Sequence, residues 1–244
     1  MREDLRVLSL ERTPERLAQF RQINPHVPVI VQKAVDGKTV DRSLYPGLKH
    51  SDGALGCLLS HLAFWDEVIA LDRPLTIFED DAIVHRYFLQ YSRHILNTMP
   101  KGWQFCAWGF NFNALLMFDM VPGAACAVQC EEGLLRHNAY RFPTSRFTPN
   151  AVKLYRSCGT VGYALSPAGA AFLRNKRSAF TTDCSLSFPD LKRTVWNVGV
   201  DVMLNAFYPT MEAFVCIPPL VITRNDQSTI VVEEALQRFQ TSPA

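Results

Sequence analysis

Short apolar runs alternate with helical patterns along most of this 244-residue sequence, and this alternation most constrains the fold. Near-continuous apolar runs are typical of strands that are buried on both faces of a sheet. The runs predicted as strands are 5–10, 27–35, 74–78, 103–110, 158–166 and 213–222, the last broken by two prolines. Strands separated by helices form right-handed crossovers. The sequence therefore predicts an α/β fold with a mostly parallel, Rossmann-type sheet flanked by helices.

The helical segments carry recognisable start signals. Thr13 and Pro14 suit the N-cap and first position of one helix. Ser51 or Asp52 opens another helix, whose apolar residues recur at helical spacing. Further helices are predicted after Ser166 and over 200–207. The stretch 111–150 has the weakest periodicity, and we expect it to leave the sheet.

Three carboxylates follow the third apolar run in PLTIFEDDAIV, at Glu79, Asp80 and Asp81. If the strand continues through Asp81, alternation places Glu79 and Asp81 on one face and Asp80 on the other. Hard divalent ions such as Mn²⁺ or Mg²⁺ prefer oxygen ligands and share them with phosphates. The triplet therefore predicts a metal site, with an exposed acidic loop as the alternative.

Two more segments follow strands and should meet the triplet, because ligands bind beyond the carboxyl ends of strands in open sheets. Arg12 and Arg16 are one helical turn apart after the first strand, at a helix N-terminus that suits a diphosphate. Surface arginines on a short helix are the alternative. Asp36 and Gly37 form a turn after the second strand.

The charge distribution suggests an anionic partner. The net charge is only +2, but eight basic residues and no acidic ones lie between Glu132 and Asp183. This segment is either a solvated basic face or a surface for a phosphorylated glycan or lipid head group. Aromatic residues are thinly interleaved there, which argues against nucleic acid. Seven scattered cysteines indicate buried thiols in a reducing compartment, so we expect a cytoplasmic protein.

Several motifs occur in an order that resembles glycosyltransferase family 25, the bacterial lipooligosaccharide galactosyltransferases and the related collagen galactosyltransferase domains. They are LSLERTPERLAQF, AVDG, GALGCLLSHLAFW, LTIFEDDA, GTVGYALSPAGAAFL and PPLVITRNDQSTI. The resemblance covers most of the chain outside 111–150. Ser9 and Glu11 stand where Asn and Asp are common in the family, and Glu233 and Glu234 replace a basic tail.

The resemblance implies a GT-A-like fold, a UDP-sugar donor and often Mn²⁺. It implies a single domain over 1–244, with a nucleotide-sugar-binding half at 1–110 and an acceptor-binding and C-terminal half at 111–244. The implied donor-binding residues are Arg12, Arg16, Asp36, Ser60, His61 and Asp80, whereas Glu79 and Asp81 are the implied metal ligands.

Other residues admit two interpretations. His61 is either a half-buried structural histidine or a hydrogen-bond donor to the sugar or phosphate. Asp201 is either a helix N-cap or the general base that accepts the proton of the acceptor hydroxyl. Asp201 and Asp81 are the predicted catalytic residues. Trp103 and Trp108 belong either to the core or to a sugar-stacking platform.

These observations predict a metal-dependent, inverting hexosyltransferase that moves galactose or glucose from a UDP-sugar to a glycan hydroxyl, such as one of lipooligosaccharide. The acceptor is expected at 111–156, with peripheral membrane contact at the inner face. One alternative is a catalytically silent glycan-binding module on the same fold. The other is a Mg²⁺-dependent phosphorelay receiver, although its acidic pair should follow the first strand and its chain should be about half as long.

Overall fold

A nine-stranded mixed sheet forms the centre of the protein. In the computed structural model, which describes residues 4–188 and 193–224, the strand order is β2-β1-β3-β9-β5-β12-β8-β6-β7. The strands are β1 (Leu5–Ser9), β2 (Ile30–Lys33), β3 (Leu75–Phe78), β4 (Ala82–Val84), β5 (Phe105–Ala107), β6 (Leu116–Val121), β7 (Ala124–Val128), β8 (Asn150–Arg156), β9 (Gly162–Leu165), β10 (Ser185–Phe188), β11 (Arg193–Trp196), β12 (Ala213–Ile217) and β13 (Val221–Thr223). The pairs β10–β11 and β4–β13 form two small antiparallel sheets.

Helices cover both faces of the sheet, which confirms the predicted α/β class. They are α1 (Pro14–Ile23), α2 (Asp52–Leu71), α3 (Phe88–Thr98), α4 (Glu132–Asn138), α5 (Pro167–Asn175), α6 (Arg177–Thr181) and α7 (Val200–Leu204). One core cluster contains apolar residues of α2, α5, α6 and α7, and a second contains those of α1 and α3. Alternate residues of β3 point into these two clusters, so the strand is buried on both faces as predicted.

The strand directions position the predicted site. β1 pairs in parallel with β2 and β3, so the carboxyl ends of these three strands lie at one edge. β9 lies antiparallel between β3 and β5, so its amino end at Gly162 lies at the same edge, beside Phe78. The remaining pairs on the far side, from β12 to β7, are antiparallel.

The expectation that 111–150 leaves the sheet was wrong. β6 and β7 form a hairpin that extends the main sheet through β8. A register shift within β6 interrupts the alternation of its side chains, which explains the weak sequence periodicity. The part around α4 and the 3₁₀ segment Ala139–Thr144 lies outside the sheet.

Helix α2 crosses the centre of one face. Its N-cap is Ser51, whose hydroxyl accepts a hydrogen bond from the Ala54 N–H. By length and composition the helix could cross a membrane. In this fold, however, 56% of its most apolar 18-residue stretch is buried inside the protein. That burial is typical of a core helix.

Candidate active site

The acidic triplet lies in a turn, because β3 ends at Phe78. The Ala82 N–H donates to the Glu79 carbonyl at 3.1 Å and closes this turn before β4. The strand alternation expected for Glu79, Asp80 and Asp81 is therefore wrong. All three residues instead line one cavity.

This cavity, with a volume of about 340 Å³, lies beyond the carboxyl ends of β1, β2 and β3. Its volume falls within the range of about 300–1,000 Å³ that is usual for small-molecule sites. Five carboxylates and two guanidinium groups line it, namely those of Asp36, Glu79, Asp80, Asp81, Asp201, Arg12 and Arg16. The three segments that the sequence places at this edge therefore meet in one site.

Each arginine pairs with an acid from another motif. Nε and Nη2 of Arg16 both donate to Oδ1 of Asp80, at 2.8 and 2.5 Å. Arg12 lies in the turn before α1, and its Nε is 2.8 Å from Oδ2 of Asp36. Asp36 also accepts from the Lys38 N–H and caps the short 3₁₀ turn Gly37–Thr39. The two pairs hold the β1 and β2 loops and the acidic turn together around the cavity.

Burial is the largest cause of the raised pKa values of Glu79 and Asp81. It raises the pKa of Glu79 from its ordinary 4.5 to about 8, the charge of Asp81 adds to this shift, and the Thr160 hydroxyl opposes it. Burial also raises the pKa of Asp81, whereas the positive charge of Arg16 opposes that rise. Oδ1 of Asp81 is buried and has no hydrogen-bond partner among the described residues. These groups need a positive charge to remain ionised together.

The Asp201 carboxylate also faces the cavity, from the first turn of α7. The N-cap of α7 is Gly199, so the N-cap interpretation of Asp201 was wrong. Its Oδ2 accepts a hydrogen bond from the Gly159 N–H at 2.8 Å. This bond joins α7 to the loop before β9 and fixes the side chain at the cavity wall.

Ser60 and His61 serve the α2 framework in this structure. The Ser60 hydroxyl accepts from the Val35 N–H at 2.8 Å and donates to the Gly56 carbonyl at 2.7 Å, so it positions the loop that carries Asp36. His61 is fully buried, and its Nδ1 lies 2.8 Å from the Tyr163 hydroxyl. Ser60 contributes to the cavity wall, but His61 does not.

Residues 4–185 match the sequence profile of glycosyltransferase family 25, described as an LPS biosynthesis protein. The match spans most of the chain and includes the β1, β2, α2 and β3 motifs that surround the cavity. The chain belongs to glycosyltransferase family 25. The class of protein predicted from the motifs is thereby confirmed.

Two curated relatives in this family carry names that describe inactive members. They are the probable inactive glycosyltransferase 25 family member 3 of Rattus norvegicus and the inactive glycosyltransferase 25 family member 3 of Mus musculus. Each is 33% identical to this chain over 97 residues, which cover 32% of the chain and 17% or 16% of the relative. The chain thus aligns with less than a fifth of each relative's length.

Other residues of this family 25 protein complete the cavity, and the sequence analysis missed them. They are Cys57, Asn111, Asn113, Gly159, Thr160 and Thr223. The Thr160 hydroxyl donates to Oε1 of Glu79 across 81 positions of sequence. Thr160 lies in the GTVGY motif, and Cys57 lies four residues before His61 on α2. The motifs that contain Thr160 and Cys57 were therefore visible in the sequence, whereas the contacts that these two residues make in the cavity were not.

The tryptophans of the fourth predicted strand lie away from the cavity wall. Trp108 is fully buried, and its indole N–H donates to the Thr76 hydroxyl at 3.1 Å. Trp103 packs against the second core cluster. A sugar-stacking role is therefore wrong for Trp108. Glu233, Glu234 and the end of the PPLVITRNDQSTI motif lie outside the described residues.

Proposed function

We propose that this protein is an active, divalent-cation-dependent hexosyltransferase that uses UDP-galactose or UDP-glucose as donor and a glycan hydroxyl as acceptor. The observation that carries this proposal is the cavity in which five carboxylates meet two arginines, at the edge where β1, β2 and β3 end. The family membership supplies the reaction class.

The residues present fit a hard divalent cation. Oδ1 of Asp81 is buried without a partner among the described residues, and Glu79 and Asp80 lie beside it in the turn. Oxygen ligands of this kind suit Mn²⁺ or Mg²⁺. Glu79 and Asp81 are the residues that would hold the ion, since Asp80 is engaged by Arg16. When bound, the ion supplies positive charge that neutralises a leaving diphosphate.

Arg12, Arg16 and the N-terminus of α1 are the proposed diphosphate contacts. Both guanidinium groups line the cavity, and the peptide N–H groups at a helix N-terminus favour an anion. The ion pairs with Asp36 and Asp80 orient these guanidinium groups before a nucleotide binds. Pre-orientation of this kind reduces the entropy that binding would otherwise lose.

Asp201 is the proposed general base. Its Oδ2 is held by the Gly159 N–H, and the side chain faces the cavity. In the proposed reaction its carboxylate accepts the proton of the acceptor hydroxyl, whose oxygen forms a bond to the anomeric carbon. The bond between that carbon and the diphosphate oxygen breaks, and UDP leaves from the opposite face. Such a displacement inverts the anomeric configuration.

The acceptor side is proposed to include the segment around α4. Asn111 and Asn113 contribute to the cavity wall, and Leu134 and Tyr140 expose 65% and 70% of their surface nearby in sequence. The exposed basic residues of this stretch are Arg136, Arg141 and Arg146. Apolar and basic side chains together suit an anionic glycolipid such as lipooligosaccharide and peripheral contact with a membrane surface. We propose a cytoplasmic protein that works at the inner membrane face.

A silent glycan-binding module is the second candidate function, favoured by the names of the two mammalian relatives. Such a module would keep the cavity and bind UDP-sugar without turnover. The phosphorelay alternative has no support from the family match.

The decisive experiment is a hydrolysis and transfer assay with a panel of UDP-sugars, with and without Mn²⁺. We expect Mn²⁺-dependent release of UDP that is lost in Asp81→Asn and Glu79→Gln. Asp66→Asn is the matched control, because Asp66 is an exposed acid that pairs with Arg174 on the surface. Binding of UDP without release from any donor would support the silent module instead.

A further inference from the structure

Three side chains of different chemistry meet beside the cavity. Cys57 and His61 are four residues apart on α2, so they share a face of the helix. Glu79 reaches them from the turn after β3. One ligand atom from each of the three, a sulfur, a nitrogen and an oxygen, lies within 4.8 Å of the other two.

His61 has a nitrogen available to a ligand. Its side chain is 0% exposed, Nδ1 lies 2.8 Å from the Tyr163 hydroxyl, and Nε2 has no hydrogen-bond partner among the described residues. Buried polar atoms in folded proteins are seldom left unpaired, and each exception calls for an explanation. A bound cation at Nε2 is such an explanation.

We propose that Cys57, His61 and Glu79 form a Zn²⁺ site. Its ligands differ in chemistry from those of the hard-cation site, the proposed Mn²⁺ or Mg²⁺ site at Glu79 and Asp81. Zn²⁺ takes thiolate, imidazole and carboxylate ligands together, whereas Mn²⁺ and Mg²⁺ favour sites made of oxygen. Three protein ligands leave the fourth tetrahedral position free. Cys57 and Glu79 line the cavity, so the proposed site borders it on their side.

The distances suit this ion after small side-chain rotations. Zinc–ligand bonds of roughly 2.0–2.3 Å in a tetrahedron place the ligand atoms about 3.3–3.8 Å apart. The present separations of up to 4.8 Å therefore close by about 1.5 Å at most. Formation of the Zn–S bond releases the Cys57 thiol proton to solvent.

The surrounding hydrogen bonds hold the ligands in place. Tyr163 accepts from the Trp65 indole N–H at 3.0 Å, and in the proposed site it also accepts from the Nδ1–H of His61, 2.8 Å away. That arrangement leaves the lone pair of His61 on Nε2, as metal-ligating histidines require. The Thr160 hydroxyl donates to Oε1 of Glu79 and orients the carboxylate.

Zn²⁺ bound at this site is expected to affect the proposed transfer reaction through Glu79. Because Glu79 is also a proposed ligand of the hard cation, Zn²⁺ would withdraw it and inhibit Mn²⁺-dependent transfer. This consequence rests on the proposed function, whereas Zn²⁺ binding itself does not. The two are therefore tested separately.

The test of binding uses Co²⁺ as a spectroscopic probe on the full chain after chelation, with no sugar donor present. We expect a near-ultraviolet thiolate-to-Co²⁺ charge-transfer band, which Zn²⁺ abolishes and Mn²⁺ leaves in place. The band should be lost in Cys57→Ser and retained in Cys130→Ser, a partly buried control cysteine outside the cavity wall. Absence of the band in the wild type, or its survival in Cys57→Ser, overturns the proposal.

A second measurement needs no variant. Alkylation of the wild-type protein is mapped by peptide mass spectrometry with and without Zn²⁺. At ten times the dissociation constant, Zn²⁺ should slow alkylation of Cys57 about tenfold. The rate at Cys158, another partly buried cysteine, should stay unchanged. Equal protection of both cysteines, or of neither, overturns the site.

Discussion

Arg16 donates two hydrogen bonds to a single oxygen of Asp80, although the two residues are 64 positions apart. The side chains of Arg16 and Asp80 are only 19% and 10% exposed, so water screens the attraction between their charges weakly. The pair ties α1 to the acidic turn, and Arg16 also opposes the rise in the pKa of Asp81. One guanidinium group therefore serves both the fold and the charge balance of the cavity.

We expect Arg16→Gln to lower the free energy of unfolding by about 1–3 kcal/mol, because the Asp80 carboxylate loses its charged partner in a shielded position. Urea denaturation measures this change. Arg12→Gln is the control, since the Arg12–Asp36 pair is more exposed and should contribute less than about 1 kcal/mol. Equal losses in the two variants would contradict the structural role of Arg16.

We expect Asp201→Asn to lower kcat for transfer by about 10²–10⁴-fold, because an amide cannot accept the acceptor proton. The amide oxygen can still accept the hydrogen bond from the Gly159 N–H, so the α7 contact should persist. Steady-state kinetics and calorimetry with UDP measure the two effects. UDP affinity should stay within a few-fold of the wild type. A variant with wild-type kcat would exclude Asp201 as the base.

The sequence was most informative where structure is local. The apolar run of β3, the Ser51 cap of α2 and the position of the acids after β3 all follow from neighbouring residues. The meeting of the arginine, Asp36 and acidic-triplet motifs at one edge was also predicted, because ligands of open sheets bind beyond the carboxyl ends of the strands.

Contacts over long sequence separation were not predictable in the same way. β9 inserts antiparallel between β3 and β5, and this placement brings Thr160 to Glu79 and Tyr163 to His61. On a helical wheel His61 lies at the edge of the apolar stripe, yet in the fold it is fully buried and its ring stacks on Tyr163. The β6–β7 hairpin escaped detection because its register shift removes the period of two.

We expect the cation-free protein to lose stability as the pH rises through the Glu79 transition. The pKa of Glu79 is 4.5 ordinarily and about 8 in the fold, so the folded state retains a proton that the unfolded chain releases. The associated stability is complete below pH 4.5 and is lost as the pH approaches 8. Between pH 6.5 and 8 the loss should reach at most about 2 kcal/mol.

Glu79→Gln isolates this contribution, because glutamine does not titrate. Denaturant unfolding at pH 6.5 and 8 should show a smaller pH dependence in the variant than in the wild type. His61 contributes equally in both proteins and drops out of the comparison, since burial lowers its pKa to about 3 and keeps it neutral in the fold across this range. Identical pH dependence in the two proteins would show that Glu79 is ionised in the fold at both values.

Gly56 packs its backbone against the loop that carries Asp36. A Cβ atom at this position would lie 2.5 Å from the Val35 carbonyl oxygen and 2.7 Å from the Gly37 nitrogen. Both atoms belong to the backbone and cannot move without shifting the loop. We therefore expect Gly56→Ala to destabilise the protein by about 3 kcal/mol or more. Since the loop borders the cavity, UDP affinity should fall as well.

Gly133→Ala in α4 is the matched control, because a Cβ there has no atom within 4 Å. In an open helical position, alanine is more favourable than glycine by about 0.5–1 kcal/mol. Thermal and urea unfolding of the two variants should therefore shift in opposite directions. If Gly56→Ala matched the wild type in stability and UDP binding, the close approach of α2 to the Asp36 loop would not be what holds the cavity in shape.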